Sequence, residues 1–193
     1  MPDWFKQHIE LEYIKYISFT HHALNIKNLC LGSSHGSYGF APWDSNTFNL
    51  SGTSQDLYTT YSLYRYCANL PLLKNIFVFY SIFSQGFDMI KGNSAHFVPL
   101  YKILYNIPYN MPPPPQETDN YLNNIEIATQ EYLISFKSQL NITQYNNFLN
   151  YNGQSLYHFF FSPEITGKSE PNNILSKYLM EIHKINMLLL CKN

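Results

Sequence analysis

The sequence predicts an α/β domain, in which a parallel β-sheet carries helices on both of its faces to form three layers. Stretches with strand character alternate with stretches of helical periodicity, which is the pattern typical of parallel sheets. One stretch, residues 75–83, is apolar almost throughout, as expected for a strand covered on both faces. The 193 residues fit a single domain, 1–193, and 45% of them are hydrophobic, which is enough to bury a core.

The first predicted elements are a helix over residues 4–20, within an N-terminal helical lead-in at 1–25, and a strand over residues 26–31. Three apolar residues recur at helical spacing in the helix: Ile9, Tyr13 and Ile17. The strand is short and mostly apolar, and it ends at Gly32, so we expect it to be buried. The loop 33–39 then follows its carboxyl end.

A second strand and a helix are predicted next. Thr47–Leu50 has strand character, and residues 53–56 have the capping-box pattern. In that pattern the Thr53 hydroxyl accepts a hydrogen bond from the amide three residues on, and the Asp56 carboxylate reaches back. Pro71 ends the helix. Four residues at helical spacing predict its buried stripe: Leu57, Tyr61, Tyr64 and Ala68.

The strongest strand signal in the chain lies at residues 75–83, which are β-branched or aromatic at most positions. We expect this segment to be a central strand covered on both faces. Residues 110–170 are expected to form a variable, lid-like insertion. The remaining predicted elements are helices over 99–109, 119–140 and 171–185, a stiff proline run at 112–115 and a buried strand over 187–191.

Composition and charge argue against several classes of protein. The formal net charge is -1, with 12 Lys and Arg against 13 Asp and Glu, which gives no electrostatic basis for binding nucleic acid or an anionic membrane. Three widely spaced cysteines without a C-x-x-C motif do not suit a disulfide framework or a zinc site. Neither a signal peptide nor an apolar window of about 18 residues is found. We expect a soluble cytoplasmic protein without a cofactor, and its oligomeric state stays open.

Three loops are expected at the carboxyl edge of the predicted sheet, where ligands bind in such folds. They are residues 32–39, 51–54 and 84–88. Ser34 follows a buried strand directly and can present its hydroxyl at that edge, while Gly32 permits a tight exit and Gly36 a close approach of the backbone. If a helix begins there, its free N–H groups can hold an oxyanion. Taken alone, a Ser-Ser-His-Gly loop is usually only a turn.

The run Leu31-Gly32-Ser33-Ser34 is similar to the Gly-Asp-Ser block of the SGNH (GDSL-type) hydrolases, with Ser33 in place of the aspartate. Together with Phe48–Tyr58, it resembles the branch of that family associated with bacterial surface and capsular polysaccharides. The resemblance implies a flavodoxin-like sheet of the SGNH type and makes Ser34 the nucleophile. Residues 49–52 are similar to the second block of the family. The resemblance therefore also gives Gly52 the role of an oxyanion donor.

Two features depart from the family pattern. In the third block, residues 83–88, the asparagine of the family is absent, and Gln85 is the amide donor that remains. No aspartate is followed by a histidine three residues later, so the family's general base is missing. The resemblance therefore implies a domain that lacks its last strand and histidine loop. The other candidates for a base or a substrate contact are His35, Asp88 and His158, whose ordinary roles would be a loop histidine, a turn cap and a buried structural histidine.

The resemblance implies a serine esterase or acyltransferase that acts on an acylated carbohydrate through a Ser34 acyl-enzyme, with activity impaired by the missing histidine. The alternative is a non-catalytic, shortened domain that binds a partner or has no function. The spacing of glycines and histidines excludes a P-loop, a dinucleotide-binding fingerprint and an H-E-x-x-H zinc site. Four tyrosines suggest sugar stacking, although their helical spacing favours core packing: Tyr58, Tyr61, Tyr64 and Tyr66.

Overall fold

The computed structural model describes residues 1–109 and 116–153 of the chain. Within those ranges the chain forms three β-strands and six α-helices, with two short 3₁₀ turns after the last strand. The elements are α1 (Asp3–His22), β1 (Asn28–Gly32), α2 (Ser34–Gly39), β2 (Thr47–Asn49), α3 (Leu57–Cys67), β3 (Asn75–Phe79), the turns Ile82–Ser84 and Ala95–Phe97, α4 (Val98–Tyr105), α5 (Gln116–Gln139) and α6 (Ile142–Leu149).

The three strands form a parallel sheet in the order β2-β1-β3. Asn28 of β1 pairs with Thr47 of β2 and with Asn75 of β3, and the pairing with β3 continues to Gly32 opposite Phe79. Helices lie on both sides of the sheet, so the predicted α/β class with a parallel sheet is confirmed. Because the strands are parallel, their carboxyl ends meet at one edge, which is the usual ligand edge of such sheets.

The main hydrophobic core joins α1 to β1, β2 and the helices α3 and α4. The predicted stripe of α1 is confirmed, since Ile9, Tyr13 and Ile17 are all buried. Phe19, near the end of α1, packs edge-to-face on Phe48 of β2 with ring centroids 5.4 Å apart. The largest fully buried side chains are Tyr101, Phe19, Phe48, Ile9, Ile26, Leu29, Leu31, Leu50, Leu63, Met89, Leu100 and Leu133.

The two outer strands have different surroundings. At β2, the Asn49 N–H donates to the Asn152 carbonyl oxygen at 3.0 Å, so residues 151–153 lie along that side. Within the part of the chain that the structure describes, β3 pairs only with β1, and Val78 and Tyr80 are 53% and 59% exposed. The prediction of a strand covered on both faces is therefore wrong for these residues. An apolar strand sequence indicates a tendency to be buried, but its neighbours in space decide whether it is.

Helix α3 begins later and buries a different face than predicted. Asp56, and not Thr53, is the N-cap, and its carboxylate accepts from the Thr59 N–H. The predicted stripe of Leu57, Tyr61, Tyr64 and Ala68 is wrong, since these residues are exposed. Core packing is likewise the wrong interpretation of the four tyrosines, which are 43–59% exposed. The buried residues of the helix are Thr59, Thr60, Leu63 and Cys67.

Helix α5 confirms the helical prediction at 119–140, and α4 confirms the one at 99–109 as far as Tyr105, because the left-handed Asn106 ends the helix there. Helix α6 was not predicted; it begins with a capping box between Asn141 and Gln144. No helix in the described ranges is long and apolar enough to cross a membrane. The other predictions for the C-terminal part fall outside the described residues, namely the proline run at 112–115, His158, the helix at 171–185 and the strand at 187–191.

Candidate functional site

The first corner of the candidate site is the passage from β1 into α2. Gly32 has φ +132°, and a Cβ there would lie 2.6 Å from the Phe79 carbonyl oxygen, so glycine is required by both backbone conformation and space. Ser33 is the extended N-cap residue, and α2 begins at Ser34, whose side chain is half-buried at the carboxyl edge. The amides of Ser34 and His35 lie in the first helical turn, where N–H groups have no acceptor within the helix.

The second corner, which follows β2, lies directly beside the first. The Leu50 N–H donates to the Cys30 carbonyl oxygen at 2.9 Å, and the Gly52 N–H donates to the Gly32 carbonyl oxygen at 3.0 Å. These bonds continue the parallel ladder beyond the last residue of β2. The corner that carries Gly32 and the corner that carries Gly52 therefore meet at the same edge of the sheet.

The surroundings of Gly52 give that glycine a packing role. A Cβ there would overlap the hydroxyl oxygen of Tyr101 and would lie 3.2 Å from the Gln55 Oε1. Tyr101 is fully buried, so it has little room to move aside. The Gly52 N–H is already engaged by the Gly32 carbonyl, and an anion reaches it only by sharing that hydrogen.

Helix α2 is held on the sheet edge by Asn49 and Ser51. The Asn49 Nδ2 donates to the Gly36 carbonyl oxygen at 2.9 Å and to the Phe40 carbonyl oxygen at 3.1 Å. A Cβ on Gly36 would lie 2.5 Å from the Ser51 Oγ and 3.2 Å from the Phe79 Cβ. The small residue at position 36 thus lets the helix that carries Ser34 approach the ends of two strands.

The third corner, after β3, is joined to the second through Asp56. Its carboxylate accepts from the Thr59 N–H at 2.7 Å and from the Met89 N–H at 3.0 Å. Asp88, in contrast, accepts from the Ile90 N–H at 3.0 Å and pairs with the Lys91 ammonium at 2.9 Å. The hydrogen bond from Lys91 lowers the pKa of Asp88, which is thus engaged within its own turn. The Gln85 side chain of this corner is exposed.

The structure does not bring a predicted base to Ser34. The His35 ring is exposed, and its Nδ1 lies 3.2 Å from the Ser33 Oγ. Among the described residues, no histidine or carboxylate is hydrogen-bonded to the Ser34 hydroxyl. His158 lies outside those residues. The described residues therefore assemble a serine and backbone amides at this edge, without a general base.

One buried group beside the site was missed at the sequence level. The Lys15 ammonium donates to the Glu12 Oε1 at 2.9 Å and to the Ser51 carbonyl oxygen at 2.8 Å. Charged residues in a helix are usually exposed, and no role was predicted for this pair from the sequence. The available signal was spacing, because residues 12 and 15 continue the i, i+3 row that begins at Ile9 of the apolar stripe.

The described residues contain no group of three or more His, Cys, Asp or Glu side chains that could hold a metal ion. No family model matches the sequence, and no curated protein or solved structure matches the chain.

Proposed function

We propose that this protein is a serine esterase or acyltransferase of the SGNH type, which acts on an acyl ester of a carbohydrate. The observation that supports it is the hydrogen bond of 3.0 Å between the Gly52 N–H and the Gly32 carbonyl oxygen. It joins the two corners that carry the family-like motifs, and Ser34 is half-buried beside them at the start of α2. The carbohydrate part of the proposal rests on the sequence resemblance.

In the proposed reaction the Ser34 Oγ attacks the ester carbonyl carbon, and the sugar hydroxyl leaves with the proton that the serine gives up. Water or a second hydroxyl then takes the acyl group from Ser34. We assign the oxyanion first to the Ser34 amide, whose N–H has no backbone acceptor among the described residues. The Gly52 amide is the lesser donor because it shares its hydrogen with Gly32, and the exposed Gln85 side chain is the third candidate.

The reaction also needs a general base to take the Ser34 proton. His35 points to Ser33, and the Asp88 carboxylate is engaged by its own turn, so neither is our first choice. His158 is the more distant histidine that we propose to test, with His158→Gln compared against His35→Gln. A loss of activity in the first variant and not in the second supports His158 as the base.

The finer fold assignment is also a proposal. A flavodoxin-like sheet has the strand order 2-1-3-4-5, and the three described strands have the order β2-β1-β3 with which such a sheet begins. Ser34 follows the first strand, which is the position of the nucleophile block in the family that the sequence resembles.

The deciding experiment compares hydrolysis of a chromogenic acetyl ester and of an acetylated monosaccharide by the wild type, Ser34→Ala and Ser37→Ala. Ser37 lies on the same short helix, so its variant controls for damage to α2. We expect Ser34→Ala to lower kcat/KM by about a hundredfold or more and Ser37→Ala to leave it unchanged. Equal rates for the wild type and Ser34→Ala would remove Ser34 from the mechanism.

A non-catalytic binding domain is the second candidate, and exposed aromatic rings on α3 favour it. The rings of Tyr61 and Tyr64 stack at 6.1 Å with an interplanar angle of 27°, and both are exposed. Amphipathic rings of this kind suit binding surfaces. Binding of a neutral oligosaccharide that is weakened by Tyr61→Ala and not by Ser34→Ala, without ester hydrolysis, would favour this candidate.

A further inference from the structure

Helix α1 carries two Lys–acid pairs with the same i, i+3 spacing and very different surroundings. Lys6 and Asp3 lie 2.9 Å apart at the surface. Lys15 and Glu12 also lie 2.9 Å apart, but they are only 2% and 4% exposed. Lysine is almost never fully buried unless it is paired. Pairing alone does not explain the burial of Lys15, because the Lys6–Asp3 pair has the same spacing and lies at the surface. What distinguishes Lys15 is its contact with the Ser51 carbonyl oxygen at 2.8 Å.

That carbonyl belongs to the peptide group that also contains the Gly52 N–H. A peptide group is planar, so fixing its oxygen and its hydrogen fixes its orientation. The Lys15 ammonium holds the oxygen, and the Gly32 carbonyl oxygen accepts the Gly52 N–H at 3.0 Å. The Ser51–Gly52 peptide is therefore held at both ends, between a buried cation and the corner that precedes Ser34.

We propose that Lys15 is a positioning residue of the candidate site, which sets the orientation of the Ser51–Gly52 peptide and, through it, of the Gly32 carbonyl. A cation on a carbonyl oxygen also polarises the peptide, so the Gly52 N–H becomes a stronger donor in a cooperative chain of hydrogen bonds. Glu12 neutralises the charge, which keeps the effect local. The consequence for catalysis rests on the proposed function, whereas the positioning of the peptide does not.

A role in stability alone predicts a different behaviour. Replacing a buried ion pair by apolar or neutral groups of similar size is often neutral or stabilising, because the cost of desolvating two charges disappears. If the charged pair served only the stability of the fold, a neutral pair would keep the corner as it is. If Lys15 positions the peptide, a neutral pair changes the corner even where the fold is intact.

The test compares Lys15→Met, the double variant Glu12→Gln/Lys15→Met and the surface control Lys6→Met. Lys15→Met leaves the buried Glu12 carboxylate without its partner, so the double variant keeps the experiment informative if the single variant does not fold. We expect the Gly52 amide proton to move upfield in the NMR spectrum and to exchange with solvent about tenfold faster in the Lys15 variants. The same amide stays unchanged in Lys6→Met. An unchanged Gly52 amide in a folded Lys15 variant would overturn the proposal.

Two further measurements separate this proposal from the proposed function. We expect kcat for the acetyl ester to be about tenfold lower in the double variant, with KM unchanged. The substitutions alter the corner and not the contacts that bind the substrate. If the wild type neither hydrolyses the ester nor is labelled at Ser34 by a fluorophosphonate, the proposed function fails, and the Gly52 amide still decides the role of Lys15. If the amide moves while kcat stays the same, the part of the proposal that concerns catalysis is overturned.

Discussion

Gly52→Ala is the substitution whose effect the structure defines most sharply. Its Cβ would overlap the Tyr101 hydroxyl oxygen, with the Gln55 Oε1 next at 3.2 Å and the Tyr101 Cζ at 3.4 Å. The Tyr101 side chain is only 2% exposed, so relief of the overlap has to come from shifts within the core. Overpacking of this kind costs about 1–3 kcal/mol, and we expect Gly52→Ala to lower the free energy of unfolding by about 2 kcal/mol.

Tyr101→Phe removes the atom responsible for the clash. The Tyr101 hydroxyl is buried and has no hydrogen-bond partner among the described residues, so its loss should change the stability by about 1 kcal/mol or less. In the double variant the nearest ring atom is the Cζ at 3.4 Å, which is close to ordinary contact. In the Tyr101→Phe background, Gly52→Ala should therefore lower the free energy of unfolding by about 1–2 kcal/mol less than it does in the wild type. This difference is the coupling energy expected for two residues in contact.

Urea unfolding followed by circular dichroism measures this coupling in the wild type, the two single variants and the double variant. Gly39→Ala is the matched control, since a Cβ at Gly39 has no atom within 4 Å, and its unfolding midpoint should stay near that of the wild type. If the two single effects add to within about 0.5 kcal/mol, the overlap of Gly52 with the Tyr101 hydroxyl does not decide the stability of this corner.

Three other predictions concern the buried Asp56, the half-buried His8 and two buried cysteines. Asp56→Ala should lower the free energy of unfolding by about 2–4 kcal/mol, because it removes the cap of α3 and leaves the Met89 amide without its acceptor. A decrease of less than about 0.5 kcal/mol, measured by urea unfolding, would contradict this. Burial lowers the pKa of His8 from 6.5 to about 4, so His8 binds its proton more readily in the unfolded chain, and its contribution to stability is lost as the pH falls from 6.5 toward 4. His8→Leu should therefore lose less stability than the wild type between pH 7 and pH about 4.5, measured as urea midpoints, and an equal loss would argue against this role. Burial raises the pKa of Cys30 to about 11 and of Cys67 to about 12, so in a background without the third cysteine a thiol reagent should label neither until urea unfolds the protein.

The strand β1 and the corner that precedes Ser34 could be predicted because their signals are local, whereas residues 33–39 were predicted as a loop and the structure has helix α2 at Ser34–Gly39. A short apolar run that ends at Gly32 indicates a buried strand, and the glycine marks the point where the chain leaves it. Residues 47–50 carry the same kind of local signal, and β2 lies there. The adjacency of the two corners followed from parallel order alone, because carboxyl ends of parallel strands share an edge.

The face that α3 buries could not be predicted in the same way. Tyr61 and Tyr64 are large and partly apolar, yet they are exposed, while Thr59 and Thr60 are buried. A helical periodicity that counts tyrosine as apolar selects the wrong side, because tyrosine rings tolerate water at one end. The N-cap was misplaced for a related reason, since a local pattern at residue 53 does not reveal that Asp56 also accepts from the Met89 amide of a distant loop.

The spacing of Glu12 and Lys15 could have indicated their burial, but the contact that Lys15 makes could not be predicted, because its partner lies far along the chain. The Ser51 carbonyl oxygen is 36 residues away from Lys15, and a backbone acceptor leaves no mark in the sequence. The missing base of Ser34 is a different case. The sequence contains no Asp-x-x-His, and among the described residues no histidine is hydrogen-bonded to the Ser34 hydroxyl.

The unequal sides of the sheet have a consequence for how the protein can be extended. On the outer side of β2, the Asn152 carbonyl oxygen already accepts the Asn49 N–H, and residues 151–153 lie there. On the opposite side, the described residues leave the backbone of β3 with a single paired neighbour. An unpaired strand edge is a template for another strand, so the sheet of the described residues can be extended beyond β3 more readily than beyond β2.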